Sequence, residues 1–178
     1  MDNHYTDHPS RRALRSRVLA VAAATAAVAG GSLAAANPAS ADEYWGPYQY
    51  VNKASVTCLD DFHSSTIPYT PVDVWACNGT QAQAWTYDLS NDTMQVFGYC
   101  LDVHNGGTTA GTRVDLYPCN GTGSQVWQWV GNNNLYNPQS QKCLDDPSGT
   151  DVNGTQVQIW YCNNETPQVW VPEDHSSD

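Results

Sequence analysis

The chain has 178 residues and a formal net charge of −11, with Arg11, Arg12, Arg15 and Arg17 near the N-terminus and only Lys53, Arg113 and Lys142 after them. From residue 42 onward those three cations stand against sixteen Asp and Glu, leaving a net charge of −13. Such a surface repels phosphate backbones and anionic lipid, which excludes nucleic acid and membrane surfaces as expected partners.

In chain order, the first predicted segment is a signal peptide over residues 1–41. Four arginines precede an apolar run from Val18 to Ala29, too short to span a bilayer, and Ala39-Ser40-Ala41 supplies a small-residue cleavage site. "SRRAL" at residues 10–14 resembles a twin-arginine export signal, yet Arg15 stands where that pattern takes an apolar residue; Sec export is favoured and Tat stays open. The mature chain is expected to begin near Asp42 and to form a single domain over residues 42–172, secreted and monomeric. All six cysteines lie in that part, an even number that suits three disulfides in an oxidising compartment, with connectivity left open by the count.

The domain is a threefold repeat. "CLDD" at Cys58, "CLDV" at Cys100 and "CLDD" at Cys143 each open a block, and a second cysteine follows at Cys77, Cys119 and Cys162. Before it stands "TPVDVW" from Thr70, "TRVDLY" from Thr112 or "TQVQIW" from Thr155; after it come Gln83 and Trp85, Gln125 and Trp127, Gln168 and Trp170. The repeats span about 48–88, 89–130 and 131–171, followed by a solvated, flexible acidic tail over 173–178. Pro, Gly, Asn, Asp and Thr punctuate the domain too often for helices, and short alternating runs lie between them, so each block is predicted as a hairpin with two further strands. Three such blocks give about twelve strands packed round one axis in a closed, barrel-like body. Alternation places Val157 and Ile159 on the core face and Trp160 on the other.

Three C-L-D segments, an aromatic before each second cysteine and a closing Q-x-W resemble the ricin-type β-trefoil lectins and the xylan-binding modules of secreted bacterial glycosidases. The resemblance covers residues 54–171. It implies an all-β trefoil, one disulfide within each repeat (Cys58–Cys77, Cys100–Cys119, Cys143–Cys162), no metal or other cofactor, and sugar binding in up to three pockets. If each disulfide closes an antiparallel hairpin by facing its partner directly, Asp60 lies opposite Trp75, Asp102 opposite Tyr117 and Asp145 opposite Trp160. Sugars offer an apolar C–H face rimmed by hydroxyls, which suits an aromatic platform beside a carboxylate acceptor.

The third repeat, with Asp145, Gln158, Trp160 and Gln168, is expected to hold the best site. The second follows with Asp102, His104, Asp115, Tyr117 and Gln125, and the first comes last with Asp60, Asp73 and Trp75. Trp85, Trp127 and Trp170 are expected in the core, and Gln83, Gln125 and Gln168 chiefly as loop anchors bordering the pockets. The family's asparagine before Q-x-W is replaced by Ala82, Ser124 and Pro167, and repeat one carries Pro68, Tyr69 and Pro71 in the stretch where the other repeats carry Gly111 or Gly154 before the threonine. These departures keep open a secreted interaction protein, such as a protease inhibitor, with decayed sugar sites. Catalysis is not expected, because the neighbouring pairs Asp60-Asp61 and Asp145-Asp146 point to opposite faces of a strand and cannot converge on one bond. No zinc-ligand spacing occurs. The N-x-T sequences at Asn78, Asn91, Asn120, Asn153 and Asn164 would accept glycans only in a eukaryotic secretory pathway.

Overall fold

The computed structural model describes residues 44–175. The expected signal peptide and the last three residues of the expected tail lie outside them. Within repeat one run β1 (Tyr44–Asn52), β2 (Cys58–Asp61), β3 (Thr70–Trp75) and β4 (Trp85–Asp88). Repeat two supplies β5 (Thr93–Val96), β6 (Tyr99–Val103), β7 (Val114–Pro118) and β8 (Gln128–Val130). Repeat three supplies β9 (Asn134–Asn137), β10 (Lys142–Asp145), the split pair β11 (Thr155–Gln156) and β12 (Gln158–Trp160), and β13 (Trp170–Asp174). With the pair interrupted at Val157 counted as one, each repeat has four strands, and the fold is the all-β trefoil that the repeats imply.

The alternation seen in the sequence sorts the side chains. Leu59, Leu101 and Leu144 point inward with Val72, Val114 and Val157 and with Val74, Leu116 and Ile159; all nine are fully buried. The closing tryptophans complete this core. Each indole N–H donates to the carbonyl of its own repeat's leucine, Trp85 to Leu59 at 2.9 Å, Trp127 to Leu101 at 2.9 Å and Trp170 to Leu144 at 3.2 Å, so a large ring is buried without an orphaned donor. A short 3₁₀ turn before each tryptophan carries the glutamine of Q-x-W.

The second strands of the three hairpins pair with one another around the axis. β3 meets β7 at Thr70↔Leu116, β11 meets β3 at Thr155↔Val74, and Arg113 bridges to Gln158. The residue before each motif threonine donates its amide to the next hairpin: Tyr69 to Leu116 O (2.8 Å), Gly111 to Ile159 O (2.8 Å) and Gly154 to Val74 O (2.9 Å). The first and last strands of the described residues pair, β1 with β13, from Asn52↔Trp170 to Tyr48↔Asp174. Glu173 and Asp174, expected in a flexible tail, therefore continue a strand, and His175 Nε2 lies 3.0 Å from Thr80 O. The ladder with β1 holds these residues because the two adjacent strands satisfy each other's backbone groups.

The three disulfides join Cys58–Cys77, Cys100–Cys119 and Cys143–Cys162, each 19 residues apart. The hairpin register corrects the expectation by two residues. Cys58 pairs with Trp75, Cys100 with Tyr117 and Cys143 with Trp160, because the second cysteine lies beyond the strand end and reaches back diagonally. A shift of two keeps every side chain on its expected face. It changes what faces what: Asp60 is opposite Asp73, Asp102 opposite Asp115, and Asp145 opposite Gln158.

Facing carboxylates need a remedy, and each repeat has its own. Repeat three replaces one acid with Gln158, whose Nε2 donates to Asp145 Oδ2 at 2.8 Å. Repeat two surrounds Asp115 with donors, His104 Nδ1 on Oδ2 and Gln156 Nε2 on Oδ1 at 2.8 Å. In repeat one Asp73 is 1% exposed and neither oxygen has a hydrogen-bond partner. Burial, reinforced by Asp60 and Asp61, pushes its pKa from 3.8 up to about 8. Burial and the charge of Asp60 likewise raise Asp61 to about 7, against an opposing bond from the Ser65 backbone. Protonation is the remedy there.

Two outcomes follow from this packing. Trp127→Phe keeps an aromatic ring but strands the Leu101 carbonyl and leaves a void, and is expected to cost about 2–4 kcal/mol in urea unfolding. A change below ~0.5 kcal/mol would show that the indole bond and fill are unimportant. An unfolded aspartate titrates near its ordinary 3.8, so between about pH 4 and 8 the folded chain holds protons that the unfolded chain has released, and stability falls as pH rises through that window. Melting curves should show a decline whose slope flattens in Asp73→Asn; an unaltered slope in that variant would place Asp73 outside the effect.

Candidate functional site

Each hairpin brings an aromatic ring to the surface beside a carboxylate at the base. Trp160 is 40% exposed, and Trp75 and Tyr117 are half-buried. The rings sit where alternation placed them, diagonal to Asp145, Asp60 and Asp102. Those three carboxylates are buried to within a few per cent, and burial raises each pKa, offset by hydrogen bonds from neighbouring side chains. Gln83 Nε2 donates to Asp60 Oδ2 at 2.8 Å, and Gln168 Nε2 to Asp145 Oδ1 at 3.1 Å. Gln125 and Ser124 bond Asp102.

The three glutamines are anchors first. Gln83, Gln125 and Gln168 donate to the carbonyls of Ala76, Pro118 and Tyr161 and accept from the amides of Asn78, Asn120 and Asn163, all within 2.8–3.1 Å. They clamp the loop after each second cysteine against the base of the pocket, which fixes the depth of the aspartate relative to the ring.

In repeat two these parts enclose a cavity of about 440 Å³. Tyr117 and Tyr69 form its aromatic side and Asp102 lies at its base. Along the opposite wall runs a chain of hydrogen bonds. Asn120 Oδ1 accepts from the Thr122 amide (3.0 Å) and hydroxyl (2.7 Å), Thr122 Oγ1 meets Ser124 Oγ at 2.8 Å, and Ser124 Oγ donates to Asp102 Oδ2 at 3.1 Å. Ser124 thus brings a hydroxyl to the carboxylate at the position where the family pattern has asparagine. Asn105 and Gly106 form the lip, tied to repeat three by Gln139 Nε2 on Gly106 O at 3.0 Å.

The sequence puts repeat three first and repeat two second; the cavity of about 440 Å³ lies at repeat two. In repeat three both oxygens of Asp145 are bonded to glutamine amides, as Asp102 is bonded to Gln125 and Ser124, and Gly111 lies against Trp160, where a Cβ would meet the ring at 3.7 Å. Repeat one has Gly154 in the same relation to Trp75. Asp73, expected as a polar group for a ligand, is enclosed beneath its hairpin, and so is Asp115. His104 is occupied as well. Its Nε2 lies 3.1 Å from Arg113 Nη2 and 3.0 Å from Asn105 Nδ2, both donors, so Nδ1 carries the proton shared with Asp115. These residues buttress the wall behind Tyr69, whose ring centroid is 5.4 Å from that of His104.

Tyr69, Asn120, Thr122 and Gln139 were not among the expected site residues. Tyr69 had a signal, an aromatic where the other repeats have glycine, but its partner belongs to another repeat. The N-x-T sequences also had one. Asn78 and Thr80 repeat the bonds of Asn120 and Thr122, with Thr80 N at 3.0 Å and Oγ1 at 2.7 Å from Asn78 Oδ1, so the motif serves here as a turn.

Comparison with known proteins agrees with this architecture. No curated protein sequence matches the chain. Among solved structures, ThreeFoil, a designed threefold-symmetric protein, superposes with a TM-score of 0.67 at 27% identity over 75% of this chain and 99% of its own. The agglutinin from Abrus precatorius gives 0.63 at 21% identity, covering 72% of this chain and 48% of its own. A non-toxic homologue of type II RIPs from Momordica charantia, in complex with α-methyl-D-galactoside, gives 0.63 at 18%, covering 74% and 48%. The chain thus spans about half the length of the two plant proteins. The model of the ricin-type beta-trefoil lectin domain matches residues 47–170, and the chain belongs to that family.

Proposed function

We propose that this protein is a secreted carbohydrate-binding protein, monomeric and without catalytic activity, that takes a galactose- or xylose-containing glycan in the cavity of repeat two. One observation carries the reading: an exposed ring, a carboxylate and a row of hydroxyl and amide groups converge on one space of about 440 Å³. That volume lies within the roughly 300–1,000 Å³ of small-ligand pockets. Tyr117 offers a flat face to the C–H side of a sugar. Asp102 and the Asn120–Ser124 wall exchange hydrogen bonds with its hydroxyls, the carboxylate bond being the strongest of them.

The galactoside bound by the Momordica charantia protein supports this choice of sugar class. The rings of Trp160 and Trp75 add contacts to a repeating polymer, where linkage to an occupied first site raises the effective concentration. Three disulfides are consistent with the secretory signal and an oxidising destination.

Retention on immobilised galactose, lactose and xylan tests the reading. The wild type should be retained on at least one support, and Tyr117→Ala and Asp102→Asn should each fold and lose roughly tenfold or more in affinity. Trp160→Ala should weaken retention on the polymer more than on the small sugars. A wild type that runs through every support overturns the proposal and points to the protease-inhibitor alternative, tested directly against secreted proteases.

A further inference from the structure

The residue before the motif threonine has a left-handed backbone in all three repeats, with φ of 68° at Tyr69, 88° at Gly111 and 83° at Gly154. Glycine takes that conformation without penalty, whereas a tyrosine there is strained. Strain of this kind persists where something else holds the residue. What holds Tyr69 is the neighbouring repeat: its amide is bonded to Leu116 O at 2.8 Å, and its ring lies 4.9 Å from the Tyr117 ring at 53° and edge-on to His104. His104 is in turn fastened to Asp115 and bonded by Arg113. Arg113 and Asp115 flank β7's first residues, so a whole strand edge supports one borrowed ring.

Tyr69 is nevertheless 48% exposed, and it borders the cavity of repeat two. The two rings, tilted at 53° with centroids 4.9 Å apart and their side chains hydrogen-bonded to each other, stand side by side along the cavity. Gln139, from repeat three, stands across the cavity at the lip. The site therefore takes lining residues from all three repeats, while the equivalent glycines beside Trp160 and Trp75 add no second ring.

We infer that Tyr69 is a specificity-determining residue: a second platform, donated by repeat one, that makes the repeat-two site select a glycan of two or more linked sugar units over a single sugar. This deepens the carbohydrate reading above and rests on it. One unit lies against Tyr117 with its hydroxyls toward Asp102, and the next lies along Tyr69 toward the solvent.

The test compares galactose with lactose and xylose with xylotriose by titration calorimetry, in the wild type, Tyr69→Gly and Tyr69→Phe. Tyr69→Gly restores the residue that the other two repeats carry, so it should fold and, with the strained side chain removed, melt higher than wild type. It should lose roughly fivefold to tenfold in affinity for the oligosaccharide and change less than about twofold for the monosaccharide. Tyr69→Phe keeps the ring and should bind both like wild type. Oligosaccharide affinity that is unchanged or stronger in Tyr69→Gly overturns the assignment, as does a loss of equal size in Tyr69→Phe, or a wild type with no preference for linked units. If the wild type binds none of the four sugars, the carbohydrate reading itself fails and this inference with it.

Discussion

The amide that each repeat gives to the hairpin of the next is the constraint on which this structure depends. A single hairpin presents one apolar face, Val72 and Val74 in repeat one, and cannot bury it alone. Passing the amides of Tyr69, Gly111 and Gly154 to Leu116, Ile159 and Val74 closes the three hairpins into a ring over the common core. The same contact sets residue 69, 111 or 154 against the exposed aromatic of its neighbour. Fold and site therefore share one interaction: the residue at that position lies against the neighbour's aromatic, a tyrosine adding a second ring at repeat two and a glycine adding none.

Charge is the counterweight. Turning C-L-D outward brings acids face to face across the hairpins, in a chain already strongly acidic. Repeats two and three answer with His104, Gln156 and Gln158, which rigidify the region next to the pocket. Repeat one answers with a protonated Asp73, which leaves buried oxygens without partners. In repeat two the His104–Asp115 pair stands next to the aromatic side of the cavity, against Tyr69.

Much of this was legible in the sequence because it is periodic. Cysteine spacing, C-L-D and Q-x-W give the strand faces, the core tryptophans and the three ring-and-carboxylate pairs, since face depends only on alternation. Register was not legible: nothing in the spacing of Cys58 and Cys77 says that the second lies past the strand end, so the partners of Asp60, Asp102 and Asp145 come out two residues away. Depth was not legible either. The expected site residues were compared within each repeat, whereas the repeat-two cavity is also lined by Tyr69 from the repeat before and Gln139 from the repeat after. Tyr69 looked like a defect in repeat one because its effect is felt in repeat two.

The most direct test is to follow the aromatic side-chain proton resonances of the protein by NMR while lactose or xylotriose is added. Occupation of a cavity between Tyr117, Tyr69 and Asp102 requires the ring protons of those two tyrosines to shift first and to saturate together, ahead of those of Trp160 and Trp75. Shifts confined to the tryptophans, or rings that stay unperturbed at saturating sugar, would contradict the account.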